Sequence, residues 1–130
     1  ELRQMAIWVG LGFQIWDDYL DATAPAEVLG KPSGSDIRQG KRTLLVIEAL
    51  NRTSNLERNE LIKILDDNNN ADSDIKRAVE IMSNCGALEN CREQALGYLN
   101  GAKKTIEKYP RSDARTLLEE LLEYMVTRGH

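Results

Sequence analysis

Apolar positions follow a helical period along most of the chain. Apolar residues recur at spacings of three and four, and strands would instead show strict alternation of polar and apolar residues. The pattern predicts helices over 1–22, 41–51, 56–67, 73–84 and 88–108, and a last one from the N-cap Ser112 to Gly129. The last helix is predicted to bury one face, made of Leu117, Leu118, Leu121, Leu122 and Met125. We therefore predict one all-α domain of about six helices.

Two polar segments separate these helices. Residues 23–40 contain two prolines, three glycines and two serines, which predicts a long loop with a short turn near Ala26–Leu29. Loops of this length are usually functional. The second segment, "DDNNNADSD", resembles a calcium-binding loop in Asp66, Asn68 and Asn70, but Arg77 stands where the closing glutamate should be. We interpret it as a helix end and a turn.

Composition and charge exclude several classes of function. The net charge of −4 provides no overall basic field for nucleic acid or an anionic membrane. The longest apolar stretch, 5–20, contains Gln14, Asp17 and Asp18, so no membrane span is predicted. The spacing of Cys85 and Cys91 fits no zinc or redox motif, and we expect reduced thiols in a cytoplasmic protein.

The stretch "GFQIWDDYLD" places a polar stripe on an otherwise apolar helix. Gln14, Asp17, Asp18 and Asp21 fall within an arc of about 100° on a helical wheel. Neighbouring carboxylates repel one another, and the negative end of the helix dipole adds to that repulsion. A magnesium ion would compensate these charges. The alternative is a solvated helix end whose aspartates simply face water.

The following stretch, "GKPSGSDIRQGKRTL", is locally basic. It carries Lys31, Arg38, Lys41 and Arg42 against Asp36, with three glycines that allow close backbone approach. With the N–H groups of a helix that opens near Lys41, it could hold a diphosphate. The glycine spacing does not fit a P-loop. The alternative is a flexible, solvated connection, but an acidic stripe beside a basic loop is what a metal-bridged phosphate ligand needs.

Together, "FQIWDDYLD" and "GKPSGSDIRQGKRTL" resemble the second aspartate-rich motif and the lysine loop of the trans-isoprenyl diphosphate synthases, the farnesyl and geranylgeranyl diphosphate synthase family. The stretch "MSNCGALENCREQALGYLNGAKKTIEKYP" also resembles this family. The resemblance implies an antiparallel helical bundle of the isoprenoid synthase type around a cavity. Residues 1–130 would form the C-terminal portion of a single synthase domain, and the parent protein would be a homodimer.

The resemblance also implies a reaction and a site. Isopentenyl diphosphate would be joined to an allylic diphosphate through an allylic cation, with Mg²⁺ as cofactor and a short-chain trans-prenyl diphosphate as product. Asp17, Asp18 and Asp21 would hold the metal, with Asp17 as the foremost direct ligand. Lys31 and Lys41 would contact the allylic diphosphate, beside Gln14. The only histidine, His130, is the last residue of the sequence, and for this reason we do not expect a histidine to act as the base within this chain.

The sequence departs from the family pattern in one respect. The first aspartate-rich motif is absent, and we expect it to precede Glu1 in a longer parent protein. Two other functions compete with a synthase: a non-catalytic partner subunit of a heteromeric synthase, and a class I terpene cyclase. "DDYLD" disfavours the cyclase, whose metal motif mixes Asn or Asp with Ser or Thr and Glu.

We therefore expect the 130-residue chain by itself not to catalyse prenyl transfer, because half of the implied metal site is missing from it. The purified chain should be incubated with Mg²⁺, an allylic diphosphate and labelled isopentenyl diphosphate. Metal-dependent formation of a prenyl product would contradict this prediction.

Overall fold

A computed structural model describes residues 1–127, which form helices joined by short connections. No strand occurs among these residues, so the all-α prediction is confirmed. The helices are α1 (Leu2–Thr23), α2 (Ala26–Leu29), α3 (Ser35–Arg38), α4 (Leu44–Arg52), α5 (Asn55–Asp66), α6 (Asp72–Asn84), α7 (Ala87–Ile106) and α8 (Asp113–Thr127). α2 and α3 are single turns of four residues each, and the longer helices correspond to the predicted ones.

Helices α1 and α7 form the most extensive contact in the described part of the chain. Gly12 faces Ala95 and Leu99, whereas Trp8, one turn earlier in α1, contacts Gly101 later in α7, so the two helices run antiparallel. A Cβ on Gly12 would come within 2.9 Å of Leu99 Cγ and 3.1 Å of the Ala95 carbonyl oxygen. Glycine is needed here because the two backbones approach too closely for a side chain.

The core consists of two clusters of buried side chains. The larger cluster joins α1 to helices α3–α7 and is filled by Trp16, Leu61, Ile81 and Met82 among others. The smaller cluster joins α7 to α8 through Leu99, Ala102, Ile106 and Leu122. Cys85 and Cys91 are both free cysteines, as predicted. Burial in the larger cluster raises the pKa of the Cys91 thiol to about 11, so that side chain behaves as a small apolar group.

The segment between α5 and α6 is a turn held from both sides. Asn70 is buried, and its side-chain amide donates to the Ile64 carbonyl oxygen at 3.1 Å. Arg38 of α3 donates to the Asn70 carbonyl oxygen at 3.3 Å and pairs with Asp72 at 2.6 Å. The interpretation of this segment as a helix end and turn is confirmed.

The prediction around the glycine-rich loop is wrong in two respects: it lacks one short helix, and it places the start of the next helix too early. The loop contains α3, because a single helical turn leaves no periodic signal in the sequence. The next helix begins at Leu44 and not at Lys41, because Thr43 acts as its N-cap and its hydroxyl accepts from the Val46 N–H at 3.4 Å. Lys41 and Arg42 therefore lie outside the helix, on the non-helical connection before α4.

The predicted burial of the α8 face is also wrong in large part. Leu122 is buried, but Leu117, Leu118 and Leu121 are 66%, 39% and 47% exposed, and Met125 is only half-buried. Helix α8 meets the described part of the chain along one edge, mainly through α7. Periodicity identifies an apolar face, but it cannot show which part of that face is covered.

Some sequence predictions concern residues outside the described range. The end of α8 at Gly129 and the position of His130 belong to residues 128–130, which the structure does not describe. Within residues 1–127, no helix combines the length and the apolar character that crossing a bilayer requires.

Two of the three leucines of α5 provide a matched test of the core. Leu61 is fully buried, whereas Leu56 on the same helix is 79% exposed. We expect Leu61→Ala to lower the free energy of unfolding by about 2–5 kcal/mol and Leu56→Ala by less than about 0.5 kcal/mol. Urea denaturation of both variants measures the difference, and equal losses would contradict the described packing.

Candidate active site

The last two turns of α1 present the predicted acidic residues in three different environments. Asp17 is exposed, Asp18 is half-buried and Asp21 is only 4% exposed. The Gln14 side-chain amide donates to Asp18 Oδ1 at 3.1 Å, so two members of the stripe are directly linked. The stripe predicted from the helical wheel therefore exists, but its residues do not share one surface.

The carboxylate of Asp21 faces the glycine-rich loop. Its Oδ1 accepts a hydrogen bond from Ser35 Oγ at 2.7 Å and forms an ion pair with Lys31 Nζ at 3.2 Å. Its Oδ2 accepts from the backbone N–H of Asp36 at 3.0 Å. This carboxylate raises the pKa of Lys31, first through the hydrogen bond and then through its charge. The ammonium group of Lys31 thus compensates part of the negative charge at this end of α1.

Gly34 lets the loop pass close to the rest of the fold. Its φ of 79° lies in the left-handed region, and a Cβ would collide with Ile75 Cγ2 of α6. Its backbone N–H donates to the Asp21 carbonyl oxygen at 2.7 Å. Any larger residue would strain the backbone and push the loop away from α6.

The basic residues of the loop divide into two groups. Lys31 and Lys41 point to the same side as the acidic stripe, and Lys41 Nζ pairs with Asp36 at 3.4 Å. Arg38 instead pairs with Asp72 at the start of α6. Arg42 lies on the same side as the two lysines, but its guanidinium group pairs with Asp66 at 2.6 Å. The two lysines are therefore the long basic side chains of this loop that are best placed to meet a ligand.

These groups line one cleft of about 740 Å³, which we call the charged cleft. One wall is α1, with Leu11, Gln14, Ile15, Asp17 and Asp18. The other wall consists of Lys31, Asp36 and residues 41–44. The cleft thus brings together Gln14, Asp17, Asp18, Lys31 and Lys41 from the sequence prediction, whereas Asp21 does not line it.

Six further residues line this cleft but are not among the predicted site residues: Leu11, Ile15, Asp36, Arg42, Thr43 and Leu44. Asp36 was counted only as a charge that offsets the lysines, although it is the only acidic residue between Glu27 and Glu48. Thr43 was missed because the start of α4 was placed too early. Leu11 was taken as part of an apolar helix, but it is 44% exposed and extends the cleft beyond the polar groups.

Asp18 has the most strongly perturbed carboxyl group of the cleft. Burial raises the pKa of Asp18 from 3.8 to about 6, the Gln14 hydrogen bond opposes this, and the charges of Asp36, Asp17 and Asp21 add to it. Raised carboxyl pKa values are common at functional sites, since such sites collect like charges in a sheltered place.

The donor chemistry of the cleft fits a hard divalent cation. Magnesium is usually held by one or two carboxylates together with water and phosphate oxygens, and Asp17 and Asp18 supply two carboxylates. Within residues 1–127, no three His, Cys, Asp or Glu side chains converge as a preformed metal site.

Comparison with known proteins identifies the family. Residues 1–82 match the family model described as polyprenyl synthetase, and the chain belongs to this family. A short chain isoprenyl diphosphate synthase of Methanothermobacter thermautotrophicus is 42% identical over 122 residues, which is 94% of this chain and 37% of that protein. The chain thus spans little more than a third of the length of this relative.

Solved structures agree with this assignment. A geranylgeranyl pyrophosphate synthetase from Pyrococcus horikoshii superimposes with a TM-score of 0.88 at 34% identity, covering 96% of this chain and 38% of that one. A geranylgeranyl pyrophosphate synthase from Corynebacterium glutamicum, complexed with isoprenyl diphosphate and magnesium, gives 0.87 at 26% identity, covering 96% and 36%. The helical bundle seen here is therefore the fold of isoprenyl diphosphate synthases.

The pKa of Asp18 makes a prediction about stability. Since the folded-state pKa of about 6 lies above 3.8, the folded protein binds this proton more tightly, and the charge on Asp18 lowers stability as the pH rises through 6. Asp18→Asn should therefore raise the melting temperature relative to wild type at pH 7, and the gain should shrink towards pH 4.

The control for this prediction is the neighbouring amide. Gln14→Leu removes the hydrogen bond that favours the charged carboxylate, so the pKa of Asp18 should rise further. NMR titration of the Asp18 carboxyl carbon in both proteins measures this shift. A melting-temperature gain that is the same at every pH would contradict the assignment.

Proposed function

We propose that the protein containing this chain is a trans-prenyltransferase. It would condense isopentenyl diphosphate with an allylic diphosphate through an allylic cation and release a short-chain trans-prenyl diphosphate. The observation that carries this proposal is the charged cleft, where carboxylates of α1 face Lys31 and Lys41 across one cavity. Membership of the polyprenyl synthetase family supports it.

The two walls of the cleft suit the two parts of such a substrate. Lys31 and Lys41 would bind the diphosphate oxygens, since ammonium groups are effective donors to phosphate. Leu11, Ile15 and Leu44 provide apolar surface at the same cleft, which suits a prenyl chain. Breaking the allylic carbon–oxygen bond leaves negative charge on the diphosphate, and the lysines would stabilise that charge where it develops.

The metal is part of this proposal. Mg²⁺ would supply further neutralisation of the leaving diphosphate, and Asp17 and Asp18 would hold it from the α1 side. Gln14 would keep the Asp18 carboxylate oriented through their 3.1 Å hydrogen bond. Asp21 remains a predicted third ligand, although three donors already occupy its carboxylate.

The architecture of the whole protein follows from the same resemblance. We propose that residues 1–130 are the C-terminal portion of one synthase domain and that the complete protein is a homodimer. The alternative of a non-catalytic partner subunit gains no support from the cleft, because such a subunit would not need to retain both the acidic and the basic wall.

The test is Asp17→Ala in the protein that contains this chain. We expect turnover to fall by about a hundredfold or more, because an exposed carboxylate at the cleft is removed from the metal. The melting temperature should change little, since Asp17 is exposed. Steady-state prenyl transfer and thermal unfolding measure the two effects.

The matched control is Asp113→Ala, which removes another exposed aspartate from a helix remote in sequence from the cleft. It should leave turnover unchanged. A large loss of melting temperature in Asp17→Ala with turnover retained would mean that the acidic stripe is structural.

A further inference from the structure

Asp21 stands apart from the two aspartates that precede it in the same motif. Its side chain is 5% exposed, and it is one of three polar or charged residues that are buried in the described part of the chain. A buried carboxylate is costly unless its oxygens are fully hydrogen-bonded. The groups that hydrogen-bond to Asp21 therefore indicate which part of the structure its burial stabilises.

All the partners come from one segment, residues 31–36. Oδ1 receives Ser35 Oγ at 2.7 Å and Lys31 Nζ at 3.2 Å, and Oδ2 receives the Asp36 N–H at 3.0 Å. The backbone carbonyl of Asp21 adds two further bonds, from the Gly34 N–H at 2.7 Å and from Ser33 Oγ at 3.3 Å. One residue of α1 thus holds a whole segment of the loop.

The held segment carries ligand-facing groups. Lys31 and Asp36 both line the charged cleft, whereas Asp21 does not. The segment lies between two single-turn helices: α2 ends at Leu29, and α3 begins within the segment at Ser35. Ser35 and Lys31 occupy both lone-pair sites of Oδ1, and the Asp36 N–H occupies one of the two sites of Oδ2, so three of the four sites of this carboxylate already serve the loop.

We propose that Asp21 is a positioning residue, whose carboxylate fixes residues 31–36 against α1 and so places the Lys31 ammonium group at the diphosphate side of the cleft. The identity of the ligand, a diphosphate, rests on the proposed function. The role of Asp21 in holding residues 31–36 rests only on the contacts described above. Lys31 keeps two N–H donors beyond the one directed at Asp21, and these remain available for phosphate oxygens.

Two substitutions at Asp21 separate this role from that of a metal ligand. Asp21→Ala removes both acceptors. Asp21→Asn keeps the shape: its carbonyl oxygen can accept from the Asp36 N–H while its NH₂ group donates to Ser35 Oγ, so the segment stays held although the ion pair with Lys31 is lost. An amide is, however, a poor replacement for a carboxylate on Mg²⁺. Asparagine should therefore rescue a positioning residue and not a metal ligand.

The first measurement needs neither metal nor substrate. Hydrogen exchange of the peptide covering residues 31–36 is followed in wild type, Asp21→Ala, Asp21→Asn and the matched control Asp17→Ala. We expect exchange of the Asp36 amide to accelerate about tenfold or more in Asp21→Ala, and to stay near wild type in the other two. Unchanged protection in Asp21→Ala would overturn the proposal.

The second measurement is binding of inorganic diphosphate by calorimetry, first at saturating Mg²⁺ and then across a range of Mg²⁺ concentrations. Asp21→Ala should weaken diphosphate binding about tenfold with the Mg²⁺ requirement unchanged. Asp21→Asn should recover the part of this loss that comes from the released loop, also with the Mg²⁺ requirement unchanged, whereas Asp17→Ala should raise the Mg²⁺ requirement. If Asp21→Asn raises the Mg²⁺ requirement as Asp17→Ala does, Asp21 is a metal ligand and the proposal fails.

The two proposals fail in different ways. If the complete wild-type protein that contains this chain shows no prenyl transfer, the proposed function is wrong, and the exchange data still decide the role of Asp21. If Asp21→Ala does not fold, as thermal unfolding would show, the near-isosteric Asp21→Asn carries the decision alone through its Mg²⁺ requirement.

Discussion

The close packing of α1 on α7 is the constraint on which the site depends. Gly12 allows the backbones to approach until Leu99 and the Ala95 carbonyl fill the space of a side chain. This contact fixes one side of α1 as core, with Ile15 and Trp16 buried beneath it. The opposite side must then carry Gln14, Asp17 and Asp18 into the cleft. A helix fixed along much of its length can present its polar groups without local adjustment.

The charges of the cleft balance in a graded way. Asp21 is paired directly with Lys31, and Asp36 with Lys41 at a slightly longer distance. Asp18 receives only the neutral donor of Gln14, while the charges of its acidic neighbours raise its pKa further. Charge compensation is therefore strongest at the base of the loop and weakest around Asp18. A positive charge placed near Asp18 would favour its ionised form and lower its pKa.

The sequence predicts some features well for identifiable physical reasons. Long helices such as α1, α5 and α7 were found within one or two residues, because their apolar period is sustained over several turns. The sequence does not predict α3, because a helix of a single turn is too short to show a periodic pattern. It places the start of α4 at Lys41 and not at Leu44, because the pattern of apolar residues alone does not identify Thr43 as the N-cap. The exposure of Leu117 and Leu121 could not be predicted, because burial depends on neighbours far away in the chain.

The three aspartates show most clearly what a motif leaves undetermined. Asp21 follows Asp17 by four residues, so the two point in nearly the same direction, about 6 Å apart along the axis. The helix ends at Thr23, and the chain returns over its last turn through residues 31–36. Asp21 lies under that returning segment, whereas Asp17 lies beyond its edge and faces the cleft. Helical spacing determines the direction in which the two side chains point. The contacts that the rest of the chain makes at each turn of the helix determine that Asp17 is exposed to solvent and that Asp21 is bonded to the backbone of the loop.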